Sequence, residues 1–157
     1  MKKGFFLLSA VVVILDQISK YLANNSLEYA QPFVVFPSFN LTLLYNRGAA
    51  FSFLNDAGGW QRWLFTGIAL FAIVFIVNWL RKLSDKEWLL AFALSFILGG
   101  AIGNLIDRVW FGYVIDFIQV YYQSWFFPAF NLADSAITLG AILLIWNSLF
   151  GPKEDNN

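Results

Sequence analysis

Long apolar runs separated by short polar breaks dominate the chain, and three of the runs carry no charge: Trp63–Leu80, Trp88–Ile106 and Ser135–Phe150. A helix that crosses the hydrocarbon of a bilayer needs about 20 mainly apolar residues. The pattern therefore predicts membrane-spanning helices over about residues 62–80, 88–106 and 132–150. The amino end is ambiguous by pattern alone, because Gly4–Leu15 behind Lys2 and Lys3 has the layout of a secretory signal peptide. No A-x-A-like cleavage site follows it, however, and the helical spacing continues past Asp16 through Ile18, Tyr21 and Leu22. A fourth span over about residues 5–23 is predicted instead, and it contains one carboxylate and one amine. The four spans and the segments between them form one integral membrane domain over residues 1–157.

Basic residues near span ends set the orientation, since cytoplasmic loops carry the excess. Lys2, Lys3, Arg81, Lys82, Lys86 and Lys153 fall on one face, which is then the cytoplasmic one and holds both termini. Two longer segments, 24–61 and 107–131, face outward. The first, PFVVFPSFNLTLLYNRGAAFSFLN, mixes β-branched and aromatic residues with Pro37, Ser38, Asn46 and Gly48, and reads as a small sheet or hairpin lying on the membrane surface or on the helix ends. The expected fold is thus all-α and membrane-embedded, with a small β element outside.

Composition narrows the chemistry. Hydrophobic residues make up 59% and charged residues 13%, too few charges to coat a soluble globule. Ten basic residues balance ten acidic ones, so nothing draws the chain to nucleic acid. With no Cys and no His, disulfides, thiol nucleophiles, Ser-His triads and the usual zinc ligands are excluded. Chemistry is left to carboxylates, Lys, hydroxyls and backbone.

Asp16, Lys20, Arg47, Asp107, Arg108, Asp116 and Asp134 all fall toward the outer face. Ionisable groups at membrane depth are costly, need partners and mark functional places. Asp16 and Lys20 are four apart and can neutralise each other, either as a helix-stabilising pair supporting a site or as direct participants. A Ser19-Lys20 nucleophile pair is disfavoured, because adjacent helical residues point about 100° apart. In GGAIGNLIDR, Gly99 and Gly103 permit close helix approach, while Asn104, Asp107 and Arg108 line up near the outer end, as a salt-bridge cluster or a polar scaffold. Arg108 is the expected partner of Asp107 or a neighbouring acid. Asp116 lies among Val114, Ile115, Phe117 and Ile118, which disfavours its charged form. Asn131 and Asp134 have capping-box spacing at the start of the last span, where the helix dipole favours a carboxylate. Local sequence favours Asp134 as the ionised member and Asp116 as the protonated member of any pair they form, an order that Lys20 or Arg108 folded against Asp116 would reverse. Such a pair supplies one base and one acid.

In order along the chain stand DQISK (Asp16–Lys20), NRGAAFS (Asn46–Ser52), GGAIGNLIDR (Gly99–Arg108), VIDF (Val114–Phe117) and FNLAD (Phe130–Asp134). With these five motifs the chain resembles the lipoprotein signal peptidases, or signal peptidase II, the bacterial membrane aspartic proteases. The resemblance implies that Asp116 and Asp134 form a catalytic dyad, supported by Asp16, Lys20, Asn46, Gly48, Asn104, Asp107, Arg108 and Asn131. It also implies four transmembrane helices, a small extracytoplasmic sheet, a short lid-like helix and a place in the bacterial inner membrane. The implied substrate is a prolipoprotein whose lipobox Cys bears a diacylglyceryl group, cut just before that Cys by a single chain acting in membrane lipid. No cofactor is implied, and a hard cation on these aspartates would compete with Lys20 and Arg108. A proton-coupled transporter would place acids in both leaflets. The inner halves of the last three spans hold none. A purely structural membrane subunit leaves the five-motif coincidence unexplained.

Overall fold

The structure, a computed structural model, describes residues 2–48 and 60–150. Residues 49–52 of the NRGAAFS motif, the rest of the first outer segment up to residue 59, and the carboxyl-terminal tail with Lys153 lie outside the described residues. Four long helices form where the apolar runs predicted them: α1 (Lys2–Ser26), α2 (Trp60–Lys82), α3 (Trp88–Trp110) and α4 (Leu132–Phe150). All four are long and apolar enough to cross a membrane. The short lid-like helix that the resemblance implies is not among the elements of the described residues.

α3 is the central helix, packed against α1, α2 and α4. More than half of its most apolar window is buried, against about a fifth for each of the others. The peripheral helices instead turn large apolar side chains outward, among them Leu7, Ile14, Trp63, Phe71, Val74 and Ile142. Such surfaces suit hydrocarbon and not water. At the end of the bundle near the α2–α3 connection, Ile76, Leu80, Leu83, Ala91, Leu94 and Leu98 form an apolar core. The connection is tight because the carboxylate of Glu87 accepts from both the backbone N–H and the hydroxyl of Ser84, at 2.7 and 2.8 Å.

Polar residues collect at the opposite end. There α1 lies close on α3, because Gly99 and Gly103 present no side chain to it. A Cβ on Gly99 would stand 2.6 Å from Val12 Cβ, and one on Gly103 2.5 Å from Asp16 Oδ2.

Residues from the segments 24–61 and 107–131 together build one antiparallel sheet in the order β1-β2-β3-β4: β1 (Pro32–Phe36), β2 (Phe39–Asn46), β3 (Val114–Tyr122) and β4 (Trp125–Phe126). The sequence pattern indicated only the first hairpin of this sheet. Pairing of β2 with β3 sets Asn46 opposite Val114 and Leu44 opposite Asp116, which puts Asn46 and Asp116 on one face. Beyond β4 the chain returns to β3. Phe130 and Ile118 exchange backbone hydrogen bonds at 2.8 and 2.9 Å, and this bridge delivers residues 131–134 to the side of Asp116.

Candidate active site

Ten predicted site residues converge where the polar ends of α1, α3 and α4 meet β2 and β3. Asp16, Lys20, Asn104, Asp107, Asp116 and Asn131 are all buried, with at most 5% of their surface exposed. Groups this deep must be paired, and these are.

Lys20 occupies the centre of the innermost layer. Its ammonium donates to Asp16 Oδ2 (2.8 Å), Asp107 Oδ2 (2.9 Å) and Asn104 Oδ1 (3.0 Å), which uses all three of its protons. Asp16 also accepts from the backbone N–H of Ala133 at 2.9 Å, tying α1 to the start of α4. Asp107 accepts from the Ile115 backbone N–H at 3.1 Å, tying α3 to β3. Gln17 fills the gap between the two acids, its amide N–H group reaching Asp107 Oδ1 at 2.9 Å and Asp16 Oδ2 at 3.2 Å. The pair expected between Arg108 and Asp107 does not form: Asp107 faces inward to Lys20, and the next residue on a helix points about 100° away. Arg108 instead lies over the Phe65 ring, 5.6 Å from its centroid.

Asn104 and Asn131 join this layer to the two remaining acids. Asn104 Oδ1 accepts from Lys20 and from Asn131 Nδ2 (3.1 Å), and its Nδ2 donates to Asp134 Oδ1 at 2.7 Å. Asn131 caps α4 in the expected reciprocal way. Its Oδ1 accepts from the Asp134 backbone N–H at 2.9 Å, and its own N–H donates to Asp134 Oδ2 at 3.3 Å. With Oδ1 so held, Asn131 Nδ2 reaches Asp116 Oδ1 at 2.7 Å. The other oxygen of Asp116 accepts from Asn46 Nδ2 at 3.0 Å. Asn46 is oriented in turn by Gly48, whose N–H donates to Asn46 Oδ1 at 2.9 Å. Gly48 has φ of +107°, and a Cβ there would stand 2.6 Å from the Phe65 ring, so both backbone and space favour glycine.

The two outer carboxyls differ in setting. Asp116 is 2% exposed. Burial, followed by the nearby charge of Asp134, pushes its carboxyl up to about 7 against the amide donors of Asn46 and Asn131 and the charge of Lys20. Asp134 is half-buried and borders a cavity of about 250 Å³ among α2, α3 and α4, walled by Phe65, Ile68, Ala101, Ile137 and Arg108. One acid is thus held in a dry setting beside another that opens on an apolar space. As for a cation, the carboxylates of Asp16 and Asp107 already share the ammonium of Lys20.

Gln17, Phe65 and the backbone N–H groups of Ile115 and Ala133 were missed by sequence reasoning. Gln17 alone left a signal, as a second polar residue beside Asp16 in an apolar span.

Fold and site together define a four-span membrane protein with a buried polar network and an acid pair at one end of its bundle. Comparison with known proteins is specific. Residues 8–150 match the family described as signal peptidase (SPase) II. A lipoprotein signal peptidase of Acinetobacter baumannii is 54% identical over 147 residues, covering 94% of this chain and 84% of that one. One from Teredinibacter turnerae is 51% identical over 143 residues, covering 91% and 85%. Two solved structures described as bacterial membrane enzymes, each 33% identical, superpose with TM-scores of 0.83 and 0.81. They cover 99% of this chain and 94% of the first structure, and 96% of this chain and 95% of the second. The chain belongs to the signal peptidase II family and is a membrane peptidase.

Proposed function

We propose that this peptidase removes the signal peptide from diacylglyceryl-modified prolipoproteins, cutting just before the lipidated Cys, with Asp116 and Asp134 as its catalytic dyad. The observation that carries the reading is the shared clamp on the two acids: Asn131 binds Asp116 through its side-chain amide and Asp134 through its backbone N–H. Residues from β3 and α4 are thereby held as a pair. Like charges held together favour one proton between them, which leaves one base and one acid.

In this mechanism Asp134, ionised and bordering the cavity, takes a proton from a water molecule as its oxygen attacks the peptide carbonyl. Asp116, protonated, delivers its proton to the carbonyl oxygen as the tetrahedral intermediate forms. Collapse of the intermediate breaks the C–N bond. The proton that Asp134 has taken up passes to the leaving amine, and the hydroxyl proton of the intermediate returns to Asp116. Water is consumed, and the dyad ends as it began. The apolar walls of the cavity suit a substrate that arrives from the membrane with acyl chains attached. In keeping with the distribution of basic residues, the site faces outward from the bacterial inner membrane, both termini are cytoplasmic, and one chain suffices. The exposed apolar strand β1, with Phe33, Val34, Val35 and Phe36, suits a sheet resting on the outer leaflet.

Purified protein in detergent should shorten a diacylglyceryl-modified prolipoprotein and leave the unmodified form intact. Equal cleavage of both would remove the lipid from the recognition, and cleavage of neither would remove the substrate assignment.

A further inference from the structure

We propose that Lys20 is a positioning residue for the dyad, acting through Asn104: its ammonium fixes which end of the Asn104 amide faces Asp134. The inference rests on the dyad reading above and concerns how that dyad is held.

An ammonium only donates, so the atom of Asn104 that meets it at 3.0 Å must be the oxygen. Asn131 Nδ2 adds a second donor to the same oxygen. With the oxygen committed, the nitrogen of Asn104 is left for Asp134 Oδ1, at 2.7 Å. Turning the amide over would set nitrogen against the ammonium and the Asn131 amide nitrogen, and oxygen against carboxylate, replacing three hydrogen bonds with three repulsive contacts. Asn131 cannot fix this orientation alone, because its Nδ2 is divided among Asn104 Oδ1, Asp116 Oδ1 and the Ile115 carbonyl. Lys20 is itself held by Asp16 and Asp107, each anchored by a backbone N–H of another element, Ala133 and Ile115. The buried ion cluster therefore does more than neutralise itself. It directs a hydrogen-bond donor at the half-buried acid.

Among the described residues, the charged groups facing the dyad are Asp16 and Lys20 from α1, Asp107 and Arg108 from α3, and each acid for the other. Among the described residues, α2 contributes Phe65, Ile68 and Ala69, none of which titrates. A donor on Asp134 Oδ1 favours the singly protonated dyad over the doubly protonated one. When that donor is lost, the acidic limb of the pH–rate profile should move to higher pH. The expected shift is about one unit, the worth of one hydrogen bond to a charged group.

The test measures kcat/KM against pH in detergent, with a diacylglyceryl-modified prolipoprotein, for Lys20→Met, Asn104→Ala and the double variant. The limb should move upward in each single variant and no further in the double, because both act through one contact. Lys20→Met leaves two buried carboxylates without their cation and can fail to fold. Lys20→Met/Asp107→Asn keeps the net charge of the cluster unchanged, and the shift should persist in it. An unmoved limb in folded Lys20→Met or in the charge-compensated variant, or additive shifts in the Lys20/Asn104 double, would overturn the proposal. Failure of the dyad itself reads differently: Asp116→Asn or Asp134→Asn would then retain turnover.

Discussion

Asp116 carries a sign that can be worked out from its surroundings. Its carboxyl rises from 3.8 to about 7, through burial first and the charge of Asp134 second. The folded chain therefore binds this proton more tightly than the unfolded chain does. The stabilisation is full below the unfolded value, declines as pH rises from about 4 to about 7, and is gone above that, at up to about 1.4 kcal/mol per pH unit. The melting temperature in detergent should fall across this window, and Asp116→Asn should flatten that part of the curve. If Asp116 is the acid, kcat/KM should decline above pH about 7, and the protonated-carboxyl infrared band of the free enzyme should vanish in Asp116→Asn. A band that vanishes only in Asp134→Asn would reverse the assignment of acid and base. Residues whose partners are local were readable from sequence: the apolar neighbours of Asp116, the Asn131–Asp134 cap and the Asp16–Lys20 pair. Asn46 on Asp116 was not readable as a contact, because it depends on the register of β2 against β3.

Between elements, packing and charge make separable contributions. Gly103→Ala would put a methyl 2.5 Å from Asp16 Oδ2, the oxygen that Lys20 and the Gln17 amide hold in place. Overpacking of this kind costs about 1–3 kcal/mol. Gly67 has no atom within 4 Å of a built Cβ, so Gly67→Ala is the control. Thermal unfolding in detergent should drop for Gly103→Ala and stay level or rise for Gly67→Ala. Equal behaviour of the two would remove the close α1–α3 approach as a determinant of stability. Arg108→Ala should act otherwise. Asp107 keeps Lys20, Gln17 and the Ile115 N–H, so the melting temperature should hold. The cation facing Asp134 and Asp116 is lost, and kcat/KM should fall at least about tenfold, or about 1.4 kcal/mol. A parallel fall in melting temperature would make Arg108 structural. The helices were legible because charge-free length is a strong signal. The pairing of Asp107 with Lys20, and the second half of the sheet, were not, since both depend on which elements meet in space.

Across the whole molecule, one helix surrounded by three gathers its polar ends on one side and leaves apolar surface around its girth. Sidedness can be checked directly, because the chain contains no Cys. In intact cells a Cys at Ser124, exposed after β3, should react with an impermeant thiol reagent, and a Cys at Ser84, between α2 and α3, should not. The reverse pattern would put the site on the cytoplasmic side. The central claim is that Asp116 and Asp134 together perform hydrolysis, and single-residue turnover tests it most directly. Asp116→Asn and Asp134→Asn, each purified and shown by thermal unfolding to be folded, should both fail to shorten a diacylglyceryl-modified prolipoprotein that the unaltered protein cleaves. Measurable turnover by either folded variant would contradict the account.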